Sequence, residues 1–306
     1  MIVLDRGRDL GAPRAGLKTW ARALRVHQWA KNLLLFVPAA LSVPILTSTE
    51  LAQTLLAFAA LCATASATYI VNDIADVSHD REHATKRSRP IASGAISVPL
   101  AGVAAAALTA MAVAIAAVLP LQSGLTLLAY AVVSLAYSFG LKREAILDVI
   151  FLGFLFTLRL AIGAALLPNK APYWLYAFSM FFFTSLPFVK RYTELAQAVR
   201  DDRKALPGRG YRPDDLPLIL PAGVGAALCS IVVFLIYLGA KHFDEQLFQH
   251  AGWLGLSVGA LAYWLLRIWL LALRDQMDYD PVVFALKDRT SWYLGLLVGL
   301  SLFLAW

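Results

Sequence analysis

Charge is what this sequence is short of. Of its 306 residues only 15% are Asp, Glu, Lys or Arg, where a soluble domain carries roughly 25%. Together with 59% hydrophobic residues and a mean hydropathy of +0.66, that excludes an ordinary soluble domain. Cysteine is scarce as well. Cys62 and Cys229 both lie inside apolar runs, so neither a disulfide nor a metal–thiolate site is expected. There is no Gly-rich phosphate loop, no Walker signature, no Ser/His/Asp or Cys/His arrangement and no cofactor motif. No repeat of fixed period is visible. The basic first thirty residues are not followed by a short apolar stretch with a small-residue cleavage site, so no secretory leader is expected.

What is present is a series of apolar segments of membrane-crossing length. Nine are expected, at 32–48, 51–72, 98–119, 124–140, 146–166, 173–190, 217–240, 250–273 and 291–306. Pro38 and Pro44 break the first. The fold class is therefore all-α: a polytopic bundle of nine transmembrane helices forming one domain over 32–306. A basic arm and interfacial helix, anchored by Trp20 and Trp29, precede it over 1–31.

The net charge of +7 does not point to nucleic acid, because the basic residues sit in short loops between apolar segments. Anionic lipid headgroups and phosphorylated substrates suit them better. All but four of the 27 Lys and Arg residues fall on one side of the nine spans; Lys170 and Lys241 fall on the other, and Arg159 and Arg267 within helices. By the positive-inside rule the crowded side is cytoplasmic. A multi-pass protein of the cell (inner) membrane is expected, with its N-terminus and polar loops in the cytoplasm.

Four polar constellations interrupt the apolar pattern. The first is YIVNDIADVSHDREHATKRSRP, Tyr69 to Pro90. Asn72, Asp76 and Asp80 are spaced i, i+4, i+8, one stripe of a helix drifting by about 40° per step. Asp73 sits about 100° off it. Arg81, Lys86, Arg87 and Arg89 follow. Oxygen ligands on one face with a basic loop behind suit a Mg2+–diphosphate pair: the hard cation takes carboxylate and amide oxygens, and the basic side chains take the remaining phosphate charge. The second is FVKRYTE, with Lys190, Arg191, Tyr192 and Glu194; Lys190 and Glu194 are i, i+4. A helix-end ion pair that anchors the span is the plainer reading of it. A polar loop over 200–215 behind it is a candidate lid.

The third constellation is RVHQWAKN, in which Gln28, Lys31 and Asn32 fall within about one helical turn and His27 is more readily a solvated residue than a base. The fourth is Arg159, deep in an apolar helix, where a guanidinium faces a partner or a polar cavity. Asp148 lies eleven residues earlier on the same face, about 16 Å away by helical rise and too far to pair directly. Tyr69, Tyr137 and Tyr192 near helix ends are candidate hydroxyl donors, with interfacial anchoring as the default. Arg267, Asp278, Asp280 and Asp288 carry weaker signals.

Asn72-Asp73-x-x-Asp76-x-x-x-Asp80 at the end of the second of nine spans resembles the UbiA-type intramembrane prenyltransferase superfamily. The resemblance covers nearly the whole chain after residue 20. It implies a helical bundle around a cytoplasm-facing cavity open to lipid, with Asn72, Asp76, Asp80 and Glu194 as Mg2+ ligands. Aromatic prenyltransferases carry a second Asp-x-x-x-Asp motif after the sixth span, where this chain has Lys190-Arg191-Tyr192-Thr193-Glu194. With RVHQWAKN, HATKRSRPIASG and LKREAILDVI, that departure looks like the decaprenyl-phosphate phosphoribosyltransferase branch.

The branch implies transfer of 5-phosphoribose from phosphoribosyl diphosphate to a polyprenyl phosphate, for lipid-linked pentose and cell-envelope glycan synthesis. Asp76, Asp80, Lys190 and Arg159 would be catalytic. Gln28, Lys31, Asn32, Tyr69, Asp73, Arg81, Lys86, Arg87, Arg89, Tyr137, Arg191 and Tyr192 would hold substrate. The acceptor is already an oxyanion, so no general base is needed. Prenyl transfer to an aromatic acceptor and transport of a lipid-linked sugar are the alternatives. A homo-oligomer is allowed but not specified.

Overall fold

The computed structural model describes residues 16–42, 47–82, 85–167, 173–202, 206, 208–239, 250–277 and 281–305. Among them there is no strand; every regular element is a helix. A short helix α1 (Leu17–Ala23) leads into a 3-10 helix over Val26–Phe36 and then α2 (Val37–Ser42). The expected first span is thus split, its proline lying in the first turn of α2, where a missing N–H does no harm. The rest of the chain forms α3 (Ser48–Ala75), α4 (Val77–Glu82), α5 (Val98–Val118), α6 (Leu121–Phe139) and α7 (Leu147–Ala164). After these come α8 (Tyr173–Arg200), α9 (Leu216–Gly239), α10 (Leu254–Leu273), α11 (Pro281–Lys287) and α12 (Arg289–Ala305).

Among the described residues six helices are long and apolar enough to cross a bilayer: α3, α5, α6, α7, α9 with its leading turn, and α10; α12 is apolar but shorter. This is a multi-pass membrane protein. α8 is as long as α3 but mixes Ser, Thr, Tyr and Trp with its apolar residues, which lowers its hydropathy. Beyond the split first span, the expected segments differ from these helices most at two places. α3 starts earlier, on a capping box between Thr47 and Glu50, and runs on through Ala75. α8 continues ten residues past its expected end, so FVKRYTE lies inside a helix rather than at its terminus. Lys170 and Lys241, which carried half of the exceptions to the charge asymmetry, lie outside the described residues, as do Asp278 and Asp280.

α3 and α7 form the centre: 67% of each apolar stretch is buried, against 17% for α5 and α6, which present their apolar faces outward. Consecutive helices pack as neighbours from α6 to α10, and α12 closes on α10. One apolar core joins α8, α9 and α10 around Val189, Leu195, Ile219, Leu265 and Trp269. A second joins α3, α6 and α7 to Leu35 of the 3-10 helix. The 3-10 helix lies so close to α7 that a Cβ at Gly163 would stand 1.9 Å from the Leu35 carbonyl oxygen. Only glycine lets the two backbones meet there. Arg267, within α10, donates both ends of its fork to Asp288 at 2.8 and 3.0 Å. Asp288 in turn accepts from the Ser291 N–H at the start of α12, so this pair ties two helices together.

Candidate active site

The acidic stripe survives folding as helix. The Asp76 N–H donates to the Asn72 carbonyl at 2.9 Å and the Asp80 N–H to the Asp76 carbonyl at 2.8 Å, so the helical spacing continues across the joint between α3 and α4. The side chains, however, divide into two groups. Asn72 Nδ2 donates to Asp76 Oδ2 at 3.3 Å, and the Asp76 side chain stays 37% exposed. Asp80 is buried and accepts from Arg89 at 2.7 Å. Asp73, also buried, accepts from Arg25 at 2.7 Å and from the same Arg89 at 3.1 Å. The drift of the stripe around the helix carries Asp80 towards the loop after α4. There Arg89 clamps it to Asp73. The three-oxygen convergence expected of Asn72, Asp76 and Asp80 is therefore an open pair plus one ion-paired carboxylate. Among the described residues no three His, Cys, Asp or Glu side chains gather as a metal site.

Arg25 opens RVHQWAKN. It adopts a left-handed conformation, φ 51°, and lies over the Tyr69 ring at 4.5 Å while it holds Asp73. Trp29 Nε1 donates to Ser66 Oγ at 3.1 Å, and Asn32 Nδ2 to Cys62 Sγ at 3.2 Å. Residues 25, 29 and 32 thus pair with 73, 66 and 62 as the 3-10 helix descends along α3. Gln28 is partly buried on this segment. Beyond α4, Arg81 Nε donates to the Ala92 carbonyl at 3.1 Å, and Lys86 and Arg87 are exposed on the loop.

A second polar group forms around Asp148, at the first turn of α7. Its carboxylate is fully buried. Oδ1 accepts from the Tyr211 hydroxyl at 2.6 Å. Oδ2 faces Arg191 Nε at 2.8 Å, an ion-pair contact not aligned as a hydrogen bond, and Arg209 Nη1 at 3.3 Å. Arg191, itself buried, also donates to Glu194. Arg209 donates to the Tyr137 hydroxyl at 2.9 Å and to the Lys142 carbonyl at 3.2 Å. Lys142 Nζ stands 3.7 Å from Asp76 Oδ2, so the α6–α7 loop joins the two polar groups. Lys190 is partly buried and engaged, whereas Tyr192 packs edge-on to Trp269 in the α8–α10 core, not among the polar groups.

The loop before α9 is latched onto α7. A Cβ on Gly210 would stand 2.4 Å from the Arg143 carbonyl oxygen and 2.9 Å from the Ala145 nitrogen, so only glycine admits the loop this close. Tyr211 behind it is wholly buried. Its hydroxyl accepts the Ile146 N–H at 2.9 Å while donating to Asp148. Ile146 is a β-branched residue held at φ 69°, a conformation that persists only under such a constraint. Burial, and then the hydrogen bond to Asp148, push the Tyr211 phenol well above its ordinary pKa. Tyr211→Phe removes both bonds and is expected to destabilise the protein by about 1–3 kcal/mol. Thermal unfolding in a fixed detergent checks this, and an unchanged transition would remove the latch role.

The third polar group is Arg159, buried at 6% exposure in α7. Asp148 on the same helix does not reach it. Nε donates to Asn32 Oδ1 at 3.1 Å, Nη1 to the Leu155 carbonyl at 2.7 Å and Nη2 to the Tyr130 hydroxyl at 2.9 Å. Its guanidinium lies over the Phe156 ring at 5.0 Å, and Lys31 Nζ lies 5.8 Å from the same ring.

The UbiA prenyltransferase family profile matches residues 33–287. The chain belongs to this family. An uncharacterised protein, y4nM, of Sinorhizobium fredii is 41% identical over 94% of this chain, which spans 56% of that protein's length. The nodulation protein NoeC of Azorhizobium caulinodans is 32% identical over 94% of each chain. The decaprenyl-phosphate phosphoribosyltransferase of Mycobacterium tuberculosis H37Rv is 34% identical over 90% of each. Among solved structures, a UbiA homologue from Archaeoglobus fulgidus bound to GPP and Mg2+ superposes with a TM-score of 0.68. It is 15% identical over 94% of this chain and 98% of that one, which is a likeness of fold.

A divalent cation bound in one UbiA homologue makes the donor set of this UbiA protein worth testing for fit. Asn72 donates through Nδ2, which leaves its Oδ1 as a hard oxygen donor beside the half-exposed Asp76 carboxylate. These two fit Mg2+. Asp80 and Glu194 fit only after release from Arg89 and Arg191. Lys142, Arg209, Tyr211, Tyr130 and Arg25 are the site residues that sequence reasoning passed over. Arg209 lies in the loop expected as a candidate lid and Lys142 in LKREAILDVI, but neither carries a site role in the sequence, and nothing there marks Tyr130 or Tyr211 as more than aromatic.

Proposed function

We propose that the protein transfers 5-phosphoribose from phosphoribosyl diphosphate to a polyprenyl phosphate, releasing diphosphate. The observation that carries this reading is Lys142 beside Asp76, with Arg209 joined to it. Lys142 faces that carboxylate at 3.7 Å, and its carbonyl holds Arg209. Where an aromatic prenyltransferase places a second pair of acids, this chain has Arg191 locked between Asp148 and Glu194. A donor with a second phosphate needs such cations; a prenyl diphosphate does not. The name of the mycobacterial relative agrees with this reading.

Asn72 and Asp76 would hold Mg2+, which when bound offsets charge on the departing diphosphate. Lys142 stands next to that charge and stabilises it as it grows. The C1–O bond to diphosphate breaks with its electron pair, and an acceptor phosphate oxygen forms the new bond to C1. No proton moves, so no general base is required. Arg209, fixed by Tyr137 and Asp148, takes the 5-phosphate. The reading places this end of the bundle in the cytoplasm of an inner-membrane protein with nine crossings, its basic arm preceding one catalytic domain.

The structure bound to GPP and Mg2+ favours a second reading, prenyl transfer from a prenyl diphosphate. Purified protein incubated with Mg2+ and a polyprenyl phosphate, with phosphoribosyl diphosphate as donor, decides between them. Mass spectrometry is expected to find a phosphoribosylated lipid and free diphosphate. Product only from a prenyl diphosphate and an aromatic acceptor would replace the first reading with the second.

A further inference from the structure

Asp73 and Asp80 are both buried carboxylates, and they share one cation unequally. Arg89 Nη1 donates to Asp80 Oδ2 at 2.7 Å and to Asp73 Oδ1 at 3.1 Å. Asp73 has a second cation, Arg25, at 2.7 Å. Asp80 has Arg89 alone, and its Oδ1 accepts from none of the described residues. With Arg89 turned away, Asp73 stays paired, whereas Asp80 becomes a buried carboxylate with both oxygens open. That state is costly unless another cation takes the place of the first.

Arg89 is held as a guanidinium that can leave. It uses one nitrogen for both acids, and its side chain is 28% exposed. Arg267 shows the contrast within the same chain. It gives two nitrogens to the two oxygens of Asp288, the forked geometry of a pair that stays. The backbone at Arg89 is fixed. Its N–H donates to the Lys86 carbonyl and its carbonyl accepts the Ser93 N–H, each at 2.9 Å, and Pro90 and Ile91 behind it are buried. Departure is therefore a turn of the side chain and needs no opening of the loop.

The register of the helix says which cation replaces it. The Asp80 N–H donates to the Asp76 carbonyl, so Asp80 follows Asp76 by one turn, and Asp76 with Asn72 is the pair that fits Mg2+. A bare divalent cation is a poor competitor for Asp80. It meets the charge of Arg89 and that of Lys142, which stands 3.7 Å from Asp76. A divalent cation carried by a diphosphate is net negative, and the same two side chains then attract it.

We infer that Arg89 is an exchangeable counter-ion, which occupies Asp80 until a metal–diphosphate arrives, so that this chain takes up its metal with the donor and not before it. This rests on the reading of Asn72 and Asp76 as metal ligands and adds the order in which metal and donor bind. It holds for a ribosyl and a prenyl donor alike, since both carry the diphosphate.

The test is equilibrium dialysis of Mn2+, standing in for Mg2+, against the purified full chain in nanodiscs of zwitterionic lipid, with and without inorganic diphosphate. In wild type, diphosphate is expected to tighten Mn2+ binding about tenfold or more. Arg89→Gln should tighten the binding of Mn2+ alone by a similar factor and lose most of the gain from diphosphate. Arg25→Gln removes the same charge from the same cluster but leaves Asp80 covered, and should stay within about threefold of wild type. Asp80→Asn added to Arg89→Gln should cancel the gain. Wild-type binding of Mn2+ that is equally tight without diphosphate overturns the inference whether or not the variants fold. So does an unchanged Arg89→Gln, a gain that survives Asp80→Asn, or an equal gain in Arg25→Gln, which would make the effect one of net charge. The metal reading is scored separately: no Mn2+ bound by wild type even with diphosphate removes the metal site and the exchange with it, whereas binding without coupling removes the exchange alone.

Discussion

Asp148→Asn is expected to destabilise the protein by about 3–5 kcal/mol and to lower kcat/KM for the donor by about 100-fold or more. The substitution keeps the shape and removes only charge. Asp148 is fully buried and balances Arg191 and Arg209, so the variant leaves two guanidinium groups in one desolvated pocket. Glu194 still reaches Arg191, whereas Arg209 keeps only the Tyr137 hydroxyl and the Lys142 carbonyl. The 208–212 loop then loses its ionic tie to α7, and the Lys142 backbone, whose side chain faces Asp76, loses its support. Thermal unfolding together with donor kinetics measures both effects. Normal stability with normal donor kinetics would show that the hub neither holds the loop nor shapes the site.

Asp76→Ala should behave in the opposite sense, with a large loss of turnover and little loss of stability. The Asp76 side chain is 37% exposed, and its contact with Lys142 at 3.7 Å is a partly solvated one worth at most about 1 kcal/mol. Its proposed work is done on the diphosphate, where loss of a stabilising charge costs about 10³-fold in rate. Turnover is expected to fall by that factor while the unfolding temperature stays within a few degrees. Substantial wild-type turnover in excess chelator, or an active Asp76→Ala, would remove the metal from this position.

The two substitutions separate two kinds of acid that look alike in the sequence. Asp73, Asp76, Asp80 and Asp148 are all aspartates at helix ends beside basic loops. Three are buried in ion pairs and one is open, and no local rule distinguishes them. The same holds for Lys190 and Arg191. Read along the chain they are two adjacent cations for one phosphate. On a helix, neighbours point about 100° apart, so they cannot share a target. Arg191 turns inward to Asp148 and Glu194, and the cation beside Asp76 is instead Lys142, whose carbonyl holds Arg209 from another loop.

What the sequence determined by itself was whatever depends on local composition and spacing. Long apolar runs dictate helices, because a bilayer leaves no other way to satisfy the backbone. The i, i+4, i+8 spacing of Asn72, Asp76 and Asp80 dictates a stripe, and a lone arginine at the centre of a span announces a polar partner. Tertiary structure alone decided which groups meet. Arg89 captures Asp80 from nine residues away, Arg25 reaches Asp73 across 48, and Tyr211 crosses 63 to hold Asp148. Arg159 finds Asn32 across 127 residues rather than the aspartate on its own helix. Buried charges are settled by whichever opposite charge or dipole the packing of α3, α7 and α8 delivers within about 3 Å, and that depends on helix contacts no spacing rule encodes.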